Sequence, residues 1–313
     1  TLHNTLFPYT TLFRSQRIST DERHTYTGES DTAPPDSAPV RTFAIFVVGT
    51  LAFSWGLWAL LLLELVPPSA TGALVRIGGF GPLVGAIVAL LASDWSIREW
   101  LRSNLRVRLP ARWYAYALVL PPLFIVAAGL VHAAVFGARI DLEAINPLWF
   151  YPIAVVVVFF VGGGQEELGW RAFALPALQD RFSALAASLA VGMVWAVWHL
   201  PLFLLPGSGQ SDLPIGPYLV AVLAVSIVLA WLYNASGSVL VPMLFHGGIN
   251  PIAAYFPTGG VAAVGTLTGY GSYALVLLGA VVVLLGIYGP GQLADRPRVT
   301  LSGLLTTDSE TTR

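Results

Sequence analysis

Three short stretches carry the side chains, at the spacing, that chemistry would need. "GGGQEELGWR" (162–171) places Glu166, Glu167 and Arg171 within two helical turns, "WAVWHLP" (195–201) brings Trp195 and His199, and "FHGGIN" (245–250) brings His246 and Asn250. On a helix Glu167 and Arg171 are i,i+4 neighbours and can pair, while Glu166 points about 100° away and is free to face something else. Two adjacent carboxylates in a low-dielectric site resist being ionised together unless Arg171 compensates. That leaves one structural glutamate and one poised as a proton acceptor. Gly162, Gly163 and Gly164 allow another backbone, or a substrate, to come close. Trp195 with His199 and His246 with Asn250 are again i,i+4 pairs on one face, and Pro201 disturbs the helix just after His199. Two donors on one helical face suit stabilisation of a developing oxyanion. The plainer alternatives are an ion pair that holds a bundle together and histidines that only pack. Two histidines on separate segments, with a glutamate pair on a third, favour acid–base chemistry.

The elements that must position these residues are membrane spans. Of 313 residues, 56% are hydrophobic and only 11% charged, against about a quarter charged in a soluble domain. The net charge of −1 offers no basic surface for nucleic acid. Without cysteine there is no disulfide, thiolate metal site or cysteine nucleophile. Every basic residue is arginine, as in a GC-rich prokaryotic genome, and the expected location is a prokaryotic plasma membrane. Ionisable residues inside spans are expensive and mark function by default.

Spans need about 20 mostly apolar residues. Eight stretches qualify, near 42–65, 72–93, 113–137, 148–176, 184–205, 216–235, 237–257 and 270–289, with prolines between them. The expected fold is all-α, a polytopic membrane bundle of about eight transmembrane helices. Residues 1–40 read as a disordered segment, within which 5–15, "TLFPYTTLFRS", resembles the translation of a sequencing adapter and is set aside. Residues 41–147 hold three spans and an amphipathic connection, 148–254 the chemical core, 255–289 a loop and the last span, and 290–313 a polar, mobile tail. Arg98, Arg102, Arg106, Arg108 and Arg112 make the second connection cytoplasmic by the positive-inside rule. Arg41, Arg181, Arg296 and Arg298 fall on the same side, so both termini are expected in the cytoplasm. The apolar face of that connection (Trp95, Ile97, Trp100, Leu101, Leu105) should lie along the inner interface. Glu64 and Arg76, near outer span ends, read as snorkelling or a rim pair, and His132 as a satisfied packing residue.

The motifs Glu166-Glu167-x-x-x-Arg171, Trp195-x-x-x-His199 and His246-x-x-x-Asn250, in this order, resemble the CPBP family of CAAX-processing and bacteriocin-processing intramembrane proteases. The resemblance covers roughly 148–254; Trp195 stands where that family usually has Phe, which leaves substrate preference in doubt. It implies a bundle of about eight helices with a polar cavity opening to the cytoplasm, and a peptide or lipidated peptide as substrate beside the lipid bilayer. Some members of the family serve as bacteriocin immunity factors. Carried over by residue, Glu166 is the general base holding water with His199. His246 and Asn250 stabilise the oxyanion, and Glu167, Arg171 and Trp195 support the site. No cofactor is expected. The family's metalloendopeptidase label keeps zinc as the alternative, with His199, His246 and Glu166 as ligands, although no HExxH helix is present. The rival functions are a proton-coupled transporter, which predicts repeat symmetry that is not seen, and a non-catalytic scaffold or immunity protein.

Overall fold

The computed structural model describes residues 38–306. The adapter-like stretch, nearly all of the segment expected to be disordered, and the last residues of the tail lie outside this range. The described residues form helices and loops without a strand; one isolated bridge pairs Asp141 with Thr258.

The first span is α1 (Ala38–Leu62). A 3-10 turn at Pro68–Ala70 leads into α2 (Thr71–Gly78), which with α3 (Gly81–Leu91) makes a span bent by 44°. The short α4 (Ile97–Asn104) precedes α5 (Ala111–Phe136), which ends at Gly137 in a left-handed cap. The fourth span runs from Phe150 to Gln179 as α6 (Phe150–Val161), α7 (Glu167–Gly169) and α8 (Leu175–Gln179), with irregular turns between them. Then come α9 (Ala184–Trp198) and α10 (Leu200–Phe203), followed by the long α11 (Ile215–Ser236). Helices α12 (Leu240–Ile249), α13 (Ile252–Tyr255) and α14 (Gly260–Val264) lead to α15 (Leu267–Gln292), which is interrupted at Gly289, and to α16 (Leu301–Thr306).

The bundle is the expected all-α membrane architecture, and each of the eight apolar stretches carries helix. Among the described residues, five spans are long and apolar enough to cross a bilayer, six with the bent pair counted as one. Helices α9 and α12, of 15 and 10 residues, are apolar but too short to cross alone. Both stop at residues of the chemical motifs: α9 is capped by His199 ahead of Pro201, and α12 by Asn250 ahead of Pro251.

Large apolar side chains point outward from α5, α6 and α15, among them Val119, Val126, Phe160 and Val282. That is the surface a lipid environment demands. The interior holds Trp58, Trp100, Trp170, Trp198, Phe46 and Phe173, all fully buried. Gly169 lets α7 meet the backbone of α3, because a β-carbon there would stand 2.3 Å from the Pro82 carbonyl oxygen.

The end of the bundle that carries most arginines is tightly tied. Trp100 of α4 is buried and donates from Nε1 to the Ala172 carbonyl (2.9 Å), so the apolar face of this helix, expected along the inner interface, docks onto the bundle. Gln179 and Asn234 exchange reciprocal amide hydrogen bonds of 3.0 and 2.8 Å. Residues 292–302 wrap over that pair. Asn234 Nδ2 donates to the Gln292 carbonyl, Gln179 Nε2 to the Val299 carbonyl, Arg298 Nε to the Gln179 carbonyl, and Ser302 Oγ to Asp180. As far as it is described, the expected mobile tail is therefore packed: once the two buried amides have paired, each has one N–H left, and the backbone of this segment accepts both.

Candidate active site

The fourth span breaks where the sequence turns to glycine. Gly163 has φ +143°, a conformation that side-chain-bearing residues rarely adopt. A 3-10 turn over Gly164–Glu166 follows, then α7, then a π-turn over Trp170–Ala174. Irregular backbone at membrane depth persists only where it lines a cavity or is buried in protein, and here its polar groups are met by neighbours. Asn250 Nδ2 donates to the Gly162 carbonyl at 2.7 Å, and Gly163 N donates to Gln165 Oε1 at 2.9 Å. Gln165 in turn reaches back to the Gly79 carbonyl at 3.3 Å, fastening the break to the second span.

The two glutamates face different partners. Glu167 and Arg171, both completely buried, form an ion pair at 3.1 Å. Glu167 Oε1 also accepts from His246 Nδ1 at 2.7 Å. Glu166, 7% exposed, accepts from Trp195 Nε1 at 3.0 Å through Oε2, and it lines a cavity. Trp195 joins the parts: the Arg171 guanidinium sits 4.9 Å over its ring, the His246 ring packs edge-on at 5.3 Å, and its carbonyl accepts from His199 Nδ1 at 2.9 Å. A carbonyl only accepts, so His199 carries its proton on Nδ1 and Nε2 keeps a lone pair.

His246 Nε2 and Asn250 Nδ2 meet on the far side of the break. A β-carbon on Gly163 would lie 2.6 Å from the first and 2.5 Å from the second. Both polar groups therefore converge on the space that this glycine leaves open. The cavity, about 320 Å³, takes in Glu166, Trp195, His199, His246 and Asn250, with Tyr218 and Trp198 against the His199 ring at 5.7 and 4.6 Å. Among the described residues, no three His, Cys, Asp or Glu side chains are grouped as a metal site would require. His199, His246 and Glu166 share the cavity wall without forming such a group.

Residues 147–252 match the family described as Type II CAAX prenyl endopeptidase Rce1-like. By this match the segment resembles the core of the CPBP family. The core is also similar to a protein of Methanococcus maripaludis named CAAX prenyl protease 2, with 29% identity over 105 residues. That match takes in 31% of this chain and 39% of the length of the relative.

Every residue of the three motifs thus lies in one site: Glu166, Trp195, His199, His246 and Asn250 on the cavity, Glu167 and Arg171 behind it. The remaining intramembrane groups do not join this cluster. His132 is held between Thr258 Oγ1 at 2.8 Å and Thr268 Oγ1 at 3.1 Å. Arg76 donates to its own helix at the Gly72 carbonyl and borders the cavity mouth. Reading only the ionisable residues passed over Gln165 and Tyr218. Gln165 had a signal, a polar side chain in an apolar span beside the glutamate pair. Tyr218 had none, since its role comes from α11 packing across α9.

Proposed function

We propose that this chain is an intramembrane endopeptidase in which Glu166 activates the attacking water. The observation that carries the reading is the convergence of Glu166, His199, His246 and Asn250, from three separate helical segments, on one cavity beside the Gly163 break. In this reaction water gives a proton to Glu166 while the His199 Nε2 lone pair orients it. The oxygen adds to the peptide carbonyl, and the oxyanion forms beside Asn250 Nδ2, whose second N–H remains to donate, and beside His246, whose Nε2 donates when the ring is the imidazolium paired with Glu167. Glu166 then passes its proton to the leaving amine as the C–N bond breaks, which regenerates the base. Glu167 and Arg171 hold the His246 ring and the Trp195 plane in register.

The reaction as written uses no metal. A peptide segment at the membrane is the proposed substrate, lipid-modified or not. The test is cleavage of a mixed peptide library, with and without lipid tails, by detergent-purified protein, wild type against Glu166→Gln, with and without a zinc chelator. Trp195 can still donate to the amide oxygen of the variant, so the fold should hold. Expected is a loss of about 10²–10⁴-fold, the usual contribution of a positioned base, with wild-type activity insensitive to chelator. Loss with chelator and recovery with zinc would move His199 and His246 into ligand roles. Cleavage of no library member by the wild type would sink the protease reading.

A further inference from the structure

The side of the membrane from which the site is reached can be read from the position of its cavity relative to the charges. Arg41, the run from Arg98 to Arg112, Arg181, Arg296 and Arg298 all belong to one end of the bundle. Contacts hold the segments that carry Arg106, Arg296 and Arg298 together. Ser238 Oγ donates to the Arg106 carbonyl, Val239 N to the Asn104 carbonyl, Arg298 Nε to the Gln179 carbonyl, and the guanidinium groups of Arg296 and Arg106 both lie against Gly237. The opposite end holds Arg76 and Arg139, against Glu64, Asp141, Glu143 and Asp212. Basic residues in short connections stay on the cytoplasmic side.

The cavity runs toward the arginine-poor end. Its wall beyond the site is built from Arg76, Gln210, Leu213, Ile252, Val264 and Tyr270, all from loops or helix ends there. None of its lining comes from α4, from the start of α12 or from residues 292–302. Toward the arginine-rich end the way is filled. Trp100, Trp170, Arg171, Phe173, Gln179 and Asn234 are each fully buried, and residues 292–302 lie across Gln179 and Asn234.

We propose that the site is entered from the extracytoplasmic face, so that its substrate is a peptide segment presented outside the membrane, such as the juxtamembrane part of an exported chain. This is the reverse of the cytoplasmic opening that the family resemblance implies. The substrate class rests on the protease reading; the side of entry does not.

The chain's lack of cysteine makes the test direct. Asp212→Cys reports the exposed loop at the mouth, Leu213→Cys the cavity wall, and Val107→Cys the exposed arginine-rich connection. Each is expressed in a bacterial inner membrane and treated, in intact spheroplasts, with a membrane-impermeant maleimide. The expected result is a one-adduct mass shift at positions 212 and 213 before lysis, and at 107 only after permeabilisation. Labelling of 107 in intact spheroplasts, with or without 212, would overturn the proposal. So would a cavity cysteine that reacts only after permeabilisation. Labelling does not depend on turnover, so it is separable from the Glu166→Gln cleavage assay. Wild-type cleavage with reversed labelling would refute only the side of entry, and correct labelling without cleavage only the protease reading.

Discussion

Gly163→Ala is the sharpest perturbation available, because one methyl group would be placed where two polar side chains converge. The new β-carbon would stand 2.5 Å from Asn250 Nδ2 and 2.6 Å from His246 Nε2. Ordinary contact begins near 3.4 Å, so both must retreat by roughly 0.8–0.9 Å. A displacement of about 1 Å at a reacting centre can cost on the order of 10²-fold in rate. The φ of +143° adds backbone strain of about 1–3 kcal/mol, which should appear as lower thermal stability. The assay is cleavage of a quenched fluorescent peptide by protein whose fold is verified by size exclusion and melting. We expect kcat to fall about 10²-fold with KM little changed. Gly271→Ala, where nothing lies within 4 Å, should leave both quantities alone. In the Gly163→Ala background, Asn250→Ala should cost little more, since groups acting as a unit are not additive. A folded Gly163→Ala protein with wild-type kcat would refute the placing of His246 and Asn250 at the reacting carbonyl.

Glu167→Gln leaves the Arg171 guanidinium buried without its ion-pair partner and should destabilise the protein by about 3–5 kcal/mol. Adding Arg171→Met should restore much of the stability but not the cleavage, because His246 still lacks its carboxylate; denaturant unfolding and peptide turnover read the two effects separately. Trp195→Phe keeps the ring contacts and removes the donor to Glu166, with turnover expected to fall about tenfold, as loss of a hydrogen bond to a charged group implies. Gln179→Leu orphans Asn234 and loosens the wrapped segment, which should lower stability by about 1–3 kcal/mol. Turnover per folded molecule should be unchanged, and a drop in kcat there would mean that the arginine-rich end takes part in the chemistry.

The bundle and the motif residues were legible in the sequence because both are local properties. A run of apolar residues must bury or face lipid wherever it lies, and an intramembrane Glu or His is costly enough to announce itself. The i,i+4 spacing of Glu167 and Arg171 was enough to anticipate their pairing, and Glu166 was free to face elsewhere on the same grounds. The irregular turns were not legible. The glycines at 162–164 marked a weak point, but that Gly163 would turn to φ +143° depends on Asn250 and Gln165 being there to take up the exposed backbone groups. Helices α9 and α12 also end earlier than their hydropathy suggests, since apolar residues continue beyond Trp198 and Ile249 in other conformations.

The amides at Asn104, Gln165, Gln179 and Asn234 were overlooked as uncharged, yet they fasten the break and close one end of the bundle. Composition and spacing by themselves determined a membrane-spanning helical chain, its arginine-rich side and the residues able to do acid–base chemistry. Tertiary structure alone decided which partner each glutamate meets, which nitrogen of each histidine is committed, and toward which end the cavity runs. Those depend on contacts between residues dozens of positions apart, such as Trp195 with Glu166 and His246 with Glu167, and no local pattern encodes such a distance.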